Sequence, residues 1–360
     1  MLEKKKLLII SPSQFGYLTD YYFYCKYLKD EFNITFLCFD QQFKKLTLSG
    51  VEVKYTSLKG NKFTRYLRWL LSVLTEIKES EYDIVFSYSY KYCSVIKLIT
   101  NRKIILDIRT GSVKENRLRN YLQNLRLRLE ASVFDYITII SEGLINHLKL
   151  RSKNCHYLPL GAEILESGNK NYDRIKLLYV GTLNHRKIHE TIDGFYQFYK
   201  KYGRKIHCEY NIFGYGTPQE EDLLNNSIKG QELGAIVKFH GRKNINEILD
   251  YYKESNIGVS YIPITPYFNF QPPTKTFEYI LAGMICIGTS TYENSNIINE
   301  NNGILCADSA ESFCRALEKY YMKRKSYQHS LVIESLSNHT WDRIVNGNLK
   351  SYLNQIIEHD

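Results

Sequence analysis

The sequence predicts an α/β protein built from two doubly wound, parallel-sheet domains. Three observations carry that expectation. Short, almost wholly apolar runs of strand length alternate with helix-periodic segments along the chain. A polar stretch at Glu163–Arg174 interrupts the alternation near its middle. The length, 360 residues, suits two ordinary domains.

In the first half the strand-like runs are Lys6–Ser11, Ile34–Asp40, Asp83–Ser87, Lys103–Asp107 and Tyr136–Ile140. Helical patterns such as Asp20–Asp30 and Phe63–Glu79 lie between them. The second half repeats the theme with Lys176–Val180, Glu209–Phe213, Val237–His240, Ile257–Tyr261 and Met284–Thr289. Apolar strands without alternation are those of parallel sheets covered on both faces. The polar stretch, read as a linker, gives domains 1–164 and 165–335. Residues 336–360 are expected as a C-terminal helix packing back toward the first domain.

Composition narrows the function classes. The chain is 44% hydrophobic and 24% charged, a globular balance. No run approaches the ~18 apolar residues of a membrane span, and the apolar run after Lys4–Lys6 is too short for a signal peptide core. The eight cysteines are scattered without close pairs, as in a reduced, cytoplasmic protein without structural zinc. No Asp-x-Asp occurs, so the usual carboxylate pair for a nucleotide-bound divalent metal is missing, and no metal or cofactor is expected.

The net charge of +10 is uneven: residues 1–160 hold 26 Lys+Arg against 15 Asp+Glu, leaving 22 against 23 beyond. An anionic partner for the first half follows, such as a membrane surface or a phosphorylated acceptor. The amphipathic run from Phe63, with Arg65 and Arg68 beside Trp69, suits an anionic inner membrane face, as do Arg117, Arg119, Arg126 and Arg128. A core-facing helix with a solvated basic side is the alternative for each. Nucleic acid is not expected, because no basic-aromatic recognition motif accompanies the charge.

The most informative stretch is residues 271–290. Pro272 and Pro273 stiffen a loop, and Thr274 stands where an N-cap would. A short helix follows and ends at Gly283. With Lys275 in its first turn, this N-terminus is a place to hold a phosphate, and Glu278 one turn on can accept hydrogen bonds from sugar hydroxyls. Other candidates fall at strand ends, where doubly wound sheets bind ligands. Arg186 and Lys187 follow Gly181 and can neutralise a diphosphate, or form a solvated basic loop. Gly214 and Gly216 admit a ligand closely or make a tight turn. Gly241 with Arg242, the Ser11–Gly16 loop, and the Asp107–Gly111 turn with Arg109 complete the set. His185 and His189, four apart, lack a third metal ligand.

Taken in order, Tyr179-Val-Gly-Thr-Leu, the Arg186-Lys187 pair, Phe213-Gly-Tyr-Gly, Val237-Lys-Phe-His-Gly and Pro273-Thr-Lys-Thr-Phe-Glu-Tyr resemble the family-4 retaining glycosyltransferases. The resemblance is clearest over about residues 172–310; Asp135–Glu142 and Tyr157–Gly161 match more loosely. It implies the GT-B architecture, two Rossmann-like domains facing a cleft. It further implies that the C-terminal domain binds a nucleoside diphosphate sugar, with Glu278 on the ribose and Arg186 and Lys187 on the phosphates. Thr274 and Lys275 would approach the phosphates, Gly241 and Arg242 would flank the base, and Gly16 would lie near the cleft. Arg109 falls roughly where the family places a cleft histidine, and is the third catalytic candidate.

There are two departures: Thr182 replaces the family's arginine after the first glycine, and Phe270 stands where many members carry a first glutamate. The expected function is metal-independent sugar transfer with retention to a hydroxyl of a glycan or lipid-linked acceptor, in surface polysaccharide or glycoconjugate synthesis. A non-catalytic nucleotide-sugar-binding subunit and a nucleotide-sugar epimerase are the alternatives.

Overall fold

The computed structural model describes residues 4–151, 154–165 and 168–358. The chain forms two compact units, Met1–Leu160 with Trp341–Asp360, and Gly161–Thr340.

The first unit is a seven-stranded sheet of β1 (Lys5–Ser11), β2 (Phe32–Asp40), β3 (Val51–Ser57), β4 (Ile84–Tyr88), β5 (Ile104–Ile108), β6 (Tyr136–Ile139) and β7 (Cys155–Tyr157). Their order is β3-β2-β1-β4-β5-β6-β7, with every pairing parallel. Leu7 to Ile10 at the centre are at most 1% exposed, which is why β1 has no polar alternation. The chain steps from β1 to β2 and β3, then returns past β1 to β4. Right-handed crossovers therefore put helix Thr19–Leu28 on one face and helices Lys62–Glu79, Ser94–Ile99 and Arg117–Ala131 on the other. The end of the chain is helical over Trp341–Ile344 and Lys350–Glu358, joined by a π-type turn at Val345–Leu349. It packs on the first face, where Trp341 stacks on Phe23 at 5.4 Å.

The second unit is a six-stranded parallel sheet of β8 (Ile175–Thr182), β9 (Cys208–Tyr215), β10 (Val237–Phe239), β11 (Ile257–Ser260), β12 (Ile285–Thr289) and β13 (Gly303–Cys306), ordered β10-β9-β8-β11-β12-β13. Both units are thus doubly wound, as the sequence predicts. All ten expected strands are present. The three that the pattern does not announce, β3, β7 and β13, are all sheet edges. An edge strand has one neighbour and incomplete cover, so Val51-Glu-Val-Lys-Tyr alternates with polar residues and the other two are short.

Three sequence expectations need correction. Glu163–Arg174 is not the linker, because the division falls at Leu160 and Gly161. Lys170 donates to the carbonyls of Tyr252 and Lys253, and the Tyr172 hydroxyl donates to Gly283 O at 2.8 Å, tying this stretch into the second unit. Trp69 does not face outward with its neighbouring arginines; it is 2% exposed and packs on Phe39 at 4.4 Å.

Arg109, the third case, is buried and turned toward partners inside the first unit. Its Nε donates to Asp20 Oδ2 at 2.8 Å, its Nη1 donates to Leu158 O at 2.7 Å, and its Nη2 lies 2.6 Å from the same Asp20 oxygen. Asp107, 4.0 Å from Arg109 Nε, accepts from Tyr21 and Thr138; burial still pushes its carboxyl up to about 6, against the pull of Arg109. Arg109 is a buttress of the fold.

Both tryptophans, Trp69 and Trp341, are buried in this unit, so their fluorescence reports its unfolding. Arg109→Met strands the Asp20 carboxylate and is expected to cost about 3–5 kcal/mol in urea unfolding followed by tryptophan emission. Unchanged stability would return Arg109 to the list of substrate-facing residues.

Candidate functional site

In the second unit the chain moves outward from β8 to β9 and β10, then crosses back to β11 on the other side of β8. The crevice at the carboxyl ends of β8 and β11 is the topological switch point of this sheet, where such folds bind ligands. Two segments meet there: the turn Gly181–Lys187 after β8, and helix Thr274–Leu281 after β11.

The helix is held against β8 from both sides of its sequence. The Val180 N–H donates to the Tyr279 hydroxyl at 2.8 Å, and the Tyr279 ring lies so close to Gly258 that a Cβ there would come within 2.2 Å of it. Thr276, on the same helix, donates to Asn294 at 2.9 Å and shares a hydrogen bond with Ser260 at 2.7 Å. The cap differs from expectation. Pro273 is the N-cap residue, Thr274 is the first helical residue, and no side chain caps the turn. Proline has the extended backbone a cap needs but no side-chain acceptor to offer.

That vacancy separates the helices of the second unit. Helix Pro218–Gly230 is closed by a Thr217–Glu220 box, and helix Ile245–Glu254 by an Asn244–Glu247 box. Ser309 caps Ala310–Lys323. Among the described helices of eight or more residues in this unit, only Ile188–Tyr202 and Thr274–Leu281 lack a side-chain cap. Both begin at the switch point, and uncapped first-turn N–H groups of this kind can hold an anion.

Cations stand beside both. Arg186 is half-buried with its guanidinium 4.0 Å from the centre of the Phe268 ring, and burial lowers its pKa. It sits between His185 and Lys187, which adopt left-handed φ of 55° and 52°. Such backbone is costly for non-glycine residues and clusters at ligand sites. Lys275 Nζ lies 4.1 Å from the centre of the Tyr179 ring. Burial, with Arg186 adding repulsion, brings its amine down to about 7, against the attraction of Glu278. Glu278 is pushed up by burial, partly offset by Lys275 and by the Tyr252 hydroxyl, which donates to its Oε2 at 3.4 Å.

Glycine is needed at two positions here. Gly181 has φ +155°, and a Cβ on it would reach within 2.8 Å of Lys275 Nζ. Gly214, paired with Gly181 across β8 and β9, has φ +158°, and its Cβ would overlap Gly181 O at 1.9 Å.

The remaining candidates scatter. Lys187 is exposed and forms an ion pair with Glu190 at 3.3 Å. Gly214 N–H donates to Gly241 O at 2.9 Å, and Arg242 lies 5.0 Å from the Tyr215 ring, so these form one rim at the ends of β9 and β10. Gly216 N–H donates to Glu221 at 3.1 Å; with Glu220 and Glu221 filling the next N-terminus, that turn is closed to phosphate by its own carboxylates. Gly16 belongs to the first unit, at the end of β1 against Leu46. Phe270 packs on Tyr292 at 5.5 Å. Sequence reasoning missed Tyr179, Phe268 and Tyr252, aromatic residues indistinguishable from core until Arg186, Lys275 and Glu278 are seen beside them. Among the described residues no three potential metal-binding side chains come together.

Residues 162–331 match the family model of glycosyl transferases group 1. This group 1 segment takes in both uncapped helices and all the charges of the switch point. No curated protein matches the chain in sequence. Among solved structures, sucrose-phosphate synthase from Thermosynechococcus elongatus is similar at TM-score 0.78 and 12% identity, with 99% of this chain and 100% of that one covered. Anabaena HepE in complex with UDP and glucose is similar at 0.74 and 14%, covering 98% and 100%. An α,α-trehalose-phosphate synthase (UDP-forming) from Burkholderia vietnamiensis gives 0.73 and 10%, covering 98% and 100%. These likenesses establish the fold, the two Rossmann-like sheets of the GT-B architecture.

The amine of Lys275 yields a pH test. An anionic phosphate raises its pKa on binding, so binding at pH above about 7 must take up a proton. Affinity for a nucleoside diphosphate sugar, which does not itself titrate in this range, is expected to be flat below pH 7. It should weaken as pH rises beyond 7, by at most about tenfold per unit. Lys275→Met should bind more weakly and lose that slope in calorimetry.

Proposed function

We propose that the chain is a glycosyltransferase that moves a sugar from a nucleoside diphosphate sugar to a hydroxyl of a glycan or lipid-linked acceptor, with retention, in surface polysaccharide or glycoconjugate synthesis. The observation that carries this reading is the pair of uncapped helix N-termini at the switch point, flanked by Arg186 and Lys275 and lying within the group 1 segment. Two N-termini and two cations suit a diphosphate, which carries its charge on two neighbouring groups. Glu278, one turn further along its helix, suits the two hydroxyls of a ribose. UDP in the HepE complex is of this ligand class.

In the reaction the bond between the anomeric carbon and the diphosphate oxygen breaks, and negative charge grows on the departing phosphate. Arg186, Lys275, Lys187 and the first-turn N–H groups of both helices meet that charge, fixed before the reaction begins. This charge is sufficient without a metal. The acceptor oxygen attacks the same face of the sugar that the diphosphate leaves. Its proton passes to the leaving phosphate oxygen, so the products are the glycoside and the protonated diphosphate. The first unit binds the acceptor. A cytoplasmic location follows from the donor, which is made there.

Calorimetry against a panel of nucleoside diphosphate sugars tests the site. Glu278→Ala should weaken binding about tenfold or more, the loss of a charged hydrogen bond worth roughly 1.5–3 kcal/mol. Arg186→Ala should weaken binding and also slow donor hydrolysis or transfer. Failure of the intact chain to bind any donor would overturn the reading. Binding with neither hydrolysis nor transfer would favour a non-catalytic subunit, the reading that Phe270 supports. Conversion of the donor without an acceptor would mark an epimerase.

A further inference from the structure

The face of the first unit opposite helix Thr19–Leu28 carries a surface that donor binding leaves unexplained. Helix Lys62–Glu79 buries Trp69, Val73 and Ile77, yet turns Phe63, Leu67 and Leu71 outward, with Phe63 67% and Leu71 62% exposed. Their spacing of four residues places them on one stripe. On helix Arg117–Ala131, Leu118, Leu122 and Leu129 are 66%, 52% and 61% exposed.

The short helix Ser94–Ile99 joins the two and ends in exposed Leu98 and Ile99. On one side the Tyr92 ring meets Tyr66 at 5.4 Å. On the other, Cys93 Sγ lies 3.4 Å from Glu130. The exposed aliphatic residues thus sit on neighbouring elements of one face, and contiguous apolar surface of this kind marks an interaction site.

The exposed charge around these aliphatic side chains is mostly positive, with the exposed acids Glu79, Glu115 and Asp135 lying at the ends of the elements. From Lys59 to Thr75 the chain has Lys59, Lys62, Arg65 and Arg68 and no carboxylate. The first acid of the helix, Glu76, is buried and paired with Lys54 at 2.9 Å. On the other long helix the single carboxylate, Glu130, is buried and paired with Arg126, leaving Arg117, Arg119 and Arg128 exposed. Arg65 and Arg68 fold back onto the carbonyls of Gly60, Ser57 and Lys59, which holds their guanidinium groups at the head of the leucine stripe.

We infer that this face docks on an anionic lipid bilayer, its aliphatic side chains entering the headgroup boundary and its arginines meeting lipid phosphates. A second copy of the chain would set like charge against like. Nucleic acid would meet aliphatic side chains where it needs stacking platforms. The surface lies wholly in the first unit and does not depend on the donor site.

The test is sedimentation of the full chain with vesicles of phosphatidylcholine, alone or mixed about equally with phosphatidylglycerol. Binding should require phosphatidylglycerol and fall at least about tenfold when salt rises from about 0.1 M to about 0.5 M. Leu67→Ser/Leu71→Ser and Arg117→Ser/Arg119→Ser should each reduce it about tenfold. Tryptophan-monitored unfolding and binding of soluble donor should stay unchanged in both. Absence of vesicle binding, or binding that survives both double variants, overturns the inference. Self-association lost in Leu67→Ser/Leu71→Ser, without vesicle binding, assigns the face to a second copy and overturns it equally.

Discussion

The hydrogen bond from Val180 N–H to the Tyr279 hydroxyl fixes the geometry on which the second unit's chemistry depends. It joins the last turn of the sheet before Gly181 to the middle of helix Thr274–Leu281, so the helix cannot slide along β8. Tyr279 is fully buried and lies against Gly258, which leaves its ring one position to occupy. With the helix so placed, Lys275 arrives beside Gly181, near enough to Arg186 for that cation to lower the pKa of its amine. No single loop creates this charge cluster. It is a consequence of how one helix packs on one strand.

The same packing leaves the cluster with unbalanced positive charge. Arg186 and Lys275 are both partly withdrawn from water, and both have lowered pKa values. Their main support within the protein comes from aromatic faces, Phe268 and Tyr179, which attract a cation without neutralising it. Glu278 is the one nearby carboxylate that offsets Lys275. The cluster is therefore short of negative charge. Lysines at the surface of this unit, by contrast, include ones paired directly with acids, as at Lys201–Glu318 and Lys243–Glu247.

Much of this was legible in the residues. Central strands are apolar on both sides, so all nine of them could be read as short apolar runs, with the edge strand β10 as a tenth, and the alternation points to the doubly wound class. The other three edge strands, β3, β7 and β13, lack that signature. Glu278, Lys275 and Arg186 could be singled out because charged residues next to proline, glycine and a strand end have few structural roles. The failures have physical causes. Thr274 was placed at the cap because threonine is a better cap than proline, but the second proline already holds the extended backbone and shifts the helix by one. Arg109 looked available at a strand end because its partner, Asp20, lies far away in sequence. Trp69 was grouped with its arginines because adjacency in sequence hides a turn of about 100° per residue around a helix. The vacant caps were invisible in the sequence, since Lys187 and Pro273 announce nothing until neighbouring helices are seen to be closed.

The return of the chain to its first unit bears on the order in which the protein is made. Trp341 stacks on Phe23 and meets Tyr24 edge-on, and the helical segments after it complete the cover of the sheet's first face. A ribosome delivers residues 161–340 before it delivers Trp341. The second unit, a continuous segment, has its whole sequence available while the first still lacks one side of its core. The unit whose sheet is made first is thus the one that matures last, and its aromatic surface around Phe23 and Tyr24 lacks the Trp341 cover for as long as translation of the second unit takes.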